Sequence, residues 1–191
     1  MEKLYAIEIK KLIDNGTVEK VHESTLAAAD PDRFLNYIPH LCVTREEKVT
    51  SKIRPVFDAS CKNNQIISLN GNIHPGPKTQ RNISHLNIHM RLNPVVLISD
   101  LEKMFYSIGY QEEPGPTDKI QNNRDMLRFL WSPDKDDTPK VYRFCKMLIG
   151  CRCSPFQSNS VIEHHLDHLI HTSDDEKIVE ASKLLKRINV Y

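Results

Sequence analysis

The sequence has almost no net charge, because 26 lysine and arginine residues face 25 aspartate and glutamate residues, for a formal charge of +1. No global basic field therefore marks the chain as a nucleic-acid-binding protein, and any such surface must be local. No apolar run is long enough to cross a bilayer, and no charged-then-apolar leader follows Met1. These absences predict an intracellular, cytoplasmic protein with no membrane partner.

The chain also lacks a disulfide framework, internal repeats and low-complexity segments. Its five cysteines are odd in number and scattered, unlike those of small secreted domains, which favours a reduced compartment. The apolar fraction of 39% is low but sufficient for a core. A length of 191 residues suits one domain, or two small lobes that share a core.

Apolar periodicity predicts a mixture of helices and antiparallel hairpins. The predicted helices fall within residues 4–16, 78–92 and 154–187, and the predicted strands within 18–21, 36–44, 51–60, 95–98, 125–132 and 140–150. The strands of 36–44 and 51–60 flank a charged turn, so they are expected to form an antiparallel hairpin. Helices mixed with hairpins, rather than strict strand–helix repeats, predict an α+β fold.

Asp100 is the first candidate for chemistry, because it follows the apolar run Val95–Ile98 after a single residue, Ser99. A strand over that run would present the Asp100 carboxylate at a rigid end. Mg²⁺ suits such a position, since it takes one or two carboxylates and completes its shell with waters and substrate phosphates. The alternative is an ordinary turn or helix N-cap aspartate. Glu102 is either a second ligand or a solvated surface residue.

Lys52 and Arg54 are the second candidates. Alternate residues of a strand share a face, so the two cations are expected on one side of the predicted hairpin. There they could grip a phosphate chain, with Arg54 offering a bidentate fork and Lys52 a point charge. The alternative is the ordinary polar face of a surface hairpin.

Two further patterns favour structural interpretations over metal sites. The Cys-x-Cys spacing of Cys151 and Cys153 is wrong for zinc, and a small-residue turn that leads into a helix fits the segment better. His164, His168 and His171 form a stripe on a predicted helix. They lack the H-E-x-x-H arrangement of zinc proteases, so the expected state is a partly solvated histidine face rather than a ligand set.

The order and spacing of these segments resemble the reverse transcriptases of retroelements, most closely the Bel/Pao branch of long-terminal-repeat retrotransposons. That family has the motifs YxPHHxV, LRVVFDAS, SLN, ADIEKMF, LRFLW and YRF…FGxxxSPF…HHL, in this order. The corresponding segments here are Tyr37–Val43, Ile53–Ser60, Ser68–Asn70, Ser99–Phe105, Leu127–Trp131 and Tyr142–Leu166. The resemblance extends from about Leu12 to the last residue.

The resemblance implies a right-hand polymerase, an RNA-directed DNA polymerase that uses Mg²⁺, deoxynucleoside triphosphates and an RNA or DNA template–primer. Residues 1–75 and 112–150 would form the fingers, built on antiparallel strands with packed helices. Residues 76–111 and 151–191 would form part of the palm.

The resemblance also implies roles for individual residues. Asp100 matches the first catalytic, metal-binding aspartate, with Leu101 beside it at the nucleotide. Lys52 and Arg54 match the cations that hold the triphosphate, and Phe105 matches the aromatic residue under the sugar that excludes a ribose 2′-hydroxyl. The residues that match the turn and helix supporting template and nucleotide are Gly150, Ser154, Pro155 and Gln157.

The sequence departs from the family at two places. Ile149 stands where the family usually has an aromatic residue or glutamine. The family also continues the final apolar run, here Ile188–Tyr191, as Y-V-D-D, which supplies the other two catalytic aspartates. The expectation is therefore a polymerase fragment that is inactive as these 191 residues. The alternatives are a non-enzymatic, retroelement-derived nucleic-acid-binding protein and a degenerate remnant.

Overall fold

The computed structural model describes residues 2–24, 35–44, 53–63, 66–79, 82–92, 94–96, 99–111, 123–133 and 137–188. The chain divides into two compact units. The first unit comprises Met1–Ile73 and Phe105–Cys151, and the second comprises His74–Met104 and Arg152–Tyr191. The assignment of these units to fingers and palm remains a prediction.

The first unit begins with helix α1, Glu2–Asp14, followed by strand β1, Val18–Lys20. Gly16 joins the two elements at a φ of +66°, a backbone conformation that side chains disfavour, so the glycine ends the helix as the sequence predicts. β1 pairs antiparallel with β5, Lys140–Phe144, which pairs antiparallel with β4, Arg128–Trp131. The strands predicted within 125–132 and 140–150 are confirmed, and they pair with each other.

The predicted hairpin between residues 37 and 60 is also confirmed. Strand β2, His40–Thr44, pairs antiparallel with β3, Ile53–Phe57. Along β3, Ile53 and Phe57 are buried while Arg54 is exposed, which is the alternation that a half-buried strand requires. The short helix α2, Leu69–Asn72, follows in the same unit and is capped by the Ser68 hydroxyl.

An aromatic cluster forms the centre of the first unit. Phe57 meets Phe129 and Phe144 edge to face, with ring centroids 5.0 and 4.7 Å apart. The His40 ring joins the cluster, and its Nδ1 lies 2.5 Å from the Tyr5 hydroxyl. Edge-to-face aromatic pairs stabilise a core beyond the burial of their apolar surface. This cluster therefore fixes β3 against the three-stranded sheet.

A buried ion-pair network lies on the same sheet. Asp125 and Arg128 are each 1% exposed, and their carboxylate and guanidinium are 2.8 Å apart. Arg143 on β5 contacts the Asp125 carboxylate at 3.1 Å and the Glu19 carboxylate at 2.6 Å. Charges this deeply buried persist in proteins when they are paired and hydrogen-bonded. The network therefore ties β1 and β5 to the 3₁₀ helix Asn123–Leu127.

The described part of the second unit contains three helices. These are α3, Ile83–Arg91, α4, Ser154–Thr172, and α5, Glu176–Ile188. Pro155 occupies the first turn of α4, where its missing N–H and fixed φ are tolerated, so the predicted helix start is confirmed. α4 packs against α5, and Lys186 forms an ion pair with Asp167 between them.

A loop with a glycine at positive φ packs on the start of α4. Gly76 has a φ of +81°, and a Cβ built there would lie 2.3 Å from the Phe156 ring. Nearby, the Asn159 amide donates a 2.9 Å hydrogen bond to the Thr79 hydroxyl. The loop of residues 74–79 is therefore held on α4 by a contact that leaves no room for a side chain at position 76.

Gly76→Ala is expected to destabilise the protein by about 2–5 kcal/mol, the sum of backbone strain and overpacking. Gly16→Ala is the matched control, because Gly16 also has a positive φ but has no atom within 4 Å of its Cβ position. The free energy of unfolding of Gly16→Ala should fall by only about 1–2 kcal/mol. Urea unfolding measures both free energies. Equal losses in the two variants would show that the Phe156 contact is unimportant.

The mixed α+β class with antiparallel sheets is confirmed, while the polymerase fold remains a prediction.

The predicted strand that carries Asp100 is wrong for the residues that the structure describes, since 94–96 and 99–100 belong to no strand. A strand needs a neighbour for its N–H and C=O groups, and the apolar pattern alone does not provide one. The final apolar run, Ile188–Tyr191, lies largely outside the described residues, and Ile188 ends α5. Among the described residues, no helix is long and apolar enough to cross a membrane.

Candidate functional site

Arg54 lies on the exposed face of β3, opposite Val43 of β2. Its guanidinium acts electrostatically on the Tyr106 hydroxyl. Burial raises the pKa of Tyr106, and the Arg54 charge partly offsets this effect. Lys52, the predicted second cation, lies outside the described residues. The described part of the hairpin therefore offers one solvent-facing guanidinium that could meet a phosphate.

Phe105 lies in the 3₁₀ helix Met104–Ser107 and is half-buried. The chain that follows is fixed to the end of β5 by two backbone hydrogen bonds, from Tyr110 N to Cys145 O at 2.8 Å and from Met147 N to Ile108 O at 2.9 Å. The Arg124 side chain donates a further 3.0 Å bond to the Tyr110 carbonyl. These contacts hold the segment after Phe105 rigidly on the sheet of the first unit.

Gly150 forms an exposed turn in the first unit with a φ of +108°. A Cβ at this position would lie 3.2 Å from the Phe57 carbonyl oxygen, so a side chain would press on the end of β3. The Gly150 carbonyl accepts a 3.0 Å hydrogen bond from the Asn70 amide. The predicted small-residue turn before α4 is confirmed, and Gly150 is exposed within it.

Asp100 and Leu101 belong to the second unit and are both exposed. Within the described part of the chain, Asp100 has no hydrogen-bond or ion-pair partner. Glu102 pairs with the Lys103 ammonium at 3.2 Å. Lys103 has a φ of +52°, which is uncommon for a residue other than glycine and costs strain that functional segments often carry. Both carboxylates are exposed, and Asp100 is the one without an ion pair among the described residues.

Ser154, Pro155 and Gln157 lie in the first turn of α4, in the second unit. Ser154 is buried and Pro155 is exposed. The Gln157 side-chain oxygen is buried, and it has no hydrogen-bond partner among the described residues. An unsatisfied buried acceptor of this kind costs about 1–3 kcal/mol.

The described residues contain no group of three histidine, cysteine, aspartate or glutamate side chains that could hold a metal ion. His164, His168 and His171 are exposed on α4. Burial raises the pKa of the Cys153 thiol, which disfavours the thiolate that binds metals. Asp100 could therefore give Mg²⁺ one ligand, but the described residues do not complete a site for two ions.

The structure divides the predicted site residues between its two units. Arg54, Phe105 and Gly150 belong to the first unit, and β3 connects two of them, because Arg54 lies within it and Gly150 packs on its end. The residues in the second unit are Asp100, Leu101, Ser154, Pro155 and Gln157. Each unit thus carries part of the predicted site.

Sequence reasoning missed Asn70, Tyr106 and Arg124 as residues that support this site. Tyr106 was hidden by its position beside Phe105, since both fit an apolar cluster. Arg124 falls in a polar segment whose charges look solvated. Asn70 belongs to the SLN motif, but only the fold shows that its side chain reaches Gly150, 80 positions later.

The sequence matches no protein-family model, and no curated protein matches it at a significant level.

Proposed function

We propose that the chain is the fingers and part of the palm of a reverse transcriptase, an RNA-directed DNA polymerase of the Bel/Pao retrotransposon type. The observation that carries the proposal is the arrangement around β3. An exposed arginine lies within this strand, and an exposed glycine turn packs on its end. A triphosphate is recognised by such a pair, a cation for its charge and open backbone for close approach.

In this proposal, each residue of the first unit has a distinct role toward the incoming deoxynucleoside triphosphate. The Arg54 guanidinium binds phosphate oxygens through its planar fork. The Phe105 ring forms the floor under the sugar. The exposed Gly150 turn offers backbone groups to the nucleotide. Support also comes from the order of the sequence motifs between Tyr37 and Leu166.

Asp100 would hold one of the Mg²⁺ ions in the proposed polymerase. Such ions stabilise the charge that develops on the attacking and leaving oxygens of a nucleotidyl transfer. Asp100 fits as a ligand because its carboxylate is exposed and has no partner among the described residues. The described residues contain no group of three side chains that could complete such a metal site.

Arg54→Ala is expected to weaken binding of a deoxynucleoside triphosphate by about 10- to 100-fold, because charge-assisted hydrogen bonds contribute about 1.5–3 kcal/mol. Arg54→Lys keeps the charge but loses the fork, so its loss should be smaller. Isothermal titration of the 191-residue chain with dTTP and Mg²⁺ measures the affinities.

Arg91→Ala is the matched control for this titration. Arg91 is an exposed arginine at the end of α3, in the second unit, and the proposal gives it no role. It should change the affinity less than twofold. If Arg54→Ala and Arg91→Ala lower the affinity equally, the triphosphate is held by general charge and the role of Arg54 is refuted. If the unsubstituted chain takes up no dTTP, the proposed function itself fails.

A further inference from the structure

Asn70 links three separate stretches of the first unit. Its backbone N–H donates to the Ala59 carbonyl at 2.9 Å, which fixes the residue on the turn after β3. Its side-chain amide donates to the Ser60 hydroxyl at 2.8 Å and to the Gly150 carbonyl at 3.0 Å. One small amide group therefore connects helix α2, the end of β3 and the glycine turn.

The Gly150 turn needs such an external contact. Its φ of +108° lies in a region that only glycine occupies readily, and glycine is also the residue with the most freedom to leave it. Packing on the Phe57 carbonyl limits the turn from one side. The Asn70 amide holds the Gly150 carbonyl from another side. This hydrogen bond fixes the direction in which the peptide group points.

We propose that Asn70 is a positioning residue that holds the Gly150 turn in the conformation that receives the nucleotide. This inference rests on the proposed function. Pre-organised backbone contributes to binding because the ligand does not have to order it. The side chain acts through Gly150 and needs no contact with the nucleotide itself.

The chain contains two controls that separate this role from general stability. Asn72 lies in the same short helix, and its amide donates to the Ser68 carbonyl at 2.9 Å. Asn72→Ala therefore removes a comparable hydrogen bond that does not involve Gly150. Ser60→Ala removes the other acceptor of the Asn70 amide and leaves the bond to Gly150 in place.

The experiment compares Asn70→Ala, Asn72→Ala and Ser60→Ala in the 191-residue chain, at a temperature where thermal unfolding curves show every variant to be folded. The ¹³C carbonyl shift of Gly150 reports the hydrogen bond, and titration with dTTP and Mg²⁺ gives the affinity. Asn70→Ala should move the Gly150 carbonyl shift and weaken dTTP binding about fivefold, the factor that one neutral hydrogen bond provides. The two control variants should stay within twofold of the unsubstituted chain.

Two results would overturn the inference alone. One is an affinity for dTTP that is equal in the unsubstituted chain and in Asn70→Ala. The other is an equal loss of affinity in Asn70→Ala and Asn72→Ala, because loosening of α2 would then explain both. A chain that binds no dTTP, although Asn70→Ala moves the Gly150 carbonyl shift, would overturn the inference together with the proposed function.

Discussion

The 191-residue chain is expected to extend a primer no faster than its own Asp100→Ala variant. A polymerase of the proposed type holds a pair of Mg²⁺ ions about 3.5–4 Å apart with three aspartates, and the sequence matches one of them, Asp100. One carboxylate cannot fix two divalent ions beside the repelling phosphates. Removal of a single transition-state contact in an enzyme commonly costs about 10²–10³ in rate, so the loss of two metal ligands should cost more.

Primer extension on an RNA template, with Mg²⁺ or Mn²⁺, measures this rate, and the Asp100→Ala chain is the blank. Weak binding of primer–template is still expected, and it should fall with added salt because phosphate contacts dominate it. Binding without extension agrees with the two-metal argument. Extension clearly above the blank would show that these 191 residues need no further carboxylates.

Phe105→Ala is expected to admit ribonucleotides in a chain extended past Tyr191 by the two-aspartate hairpin. The Phe105 ring would lie under the sugar, so its removal leaves space for a 2′-hydroxyl. Discrimination against ribonucleotides should fall by roughly tenfold to a hundredfold, the range for one group in a packed pocket. The ratio of kcat/KM for dTTP and UTP measures this change.

Tyr106→Phe is the control for Phe105→Ala, since it lies in the same 3₁₀ helix and keeps its ring. Only the hydroxyl that faces the Arg54 charge is lost. The discrimination ratio of this variant should match that of the unsubstituted chain. If Phe105→Ala leaves the ratio of kcat/KM for dTTP and UTP unchanged, the Phe105 ring does not lie under the sugar.

The sequence predicts best the segments that combine a regular apolar spacing with a clear stop or turn signal. α1 is predicted because its apolar residues repeat at helical spacing and Gly16 stops it. The β2–β3 hairpin is predicted because two apolar runs flank a charged turn. In both cases the signal lies within a few residues, where local conformation decides the outcome.

Long-range contacts are the part that sequence could not predict. Asp125 and Arg128 look like surface charges three residues apart, and they are buried because Arg143 and Glu19 arrive from distant strands. The periodicity of α5 predicts a helix but not its packed face. Ser182 is buried there, while Leu185 is 44% exposed.

The candidate site likewise combines features that local pattern predicts with contacts that only the fold shows. Arg54 could be placed on the outer face of a strand, because strand alternation is local. Val95 and Val96, the described residues of the run before Asp100, belong to no strand, since a strand also depends on a partner that apolar spacing does not reveal. The support of Gly150 by Asn70 joins residues 80 positions apart, so only the fold could show it.

The most direct test of the central proposal is template-directed DNA synthesis by the chain extended past Tyr191 with the V-D-D hairpin and the remainder of the palm. Asp100→Asn is compared with Glu102→Gln, a neutralised carboxylate two residues away that pairs with Lys103. We predict that the extended chain copies an RNA template, that Asp100→Asn abolishes synthesis, and that Glu102→Gln stays within about twofold, since exposed ion pairs contribute little. An extended chain that folds but synthesises no DNA, or one that remains active with Asp100→Asn, would contradict the proposal.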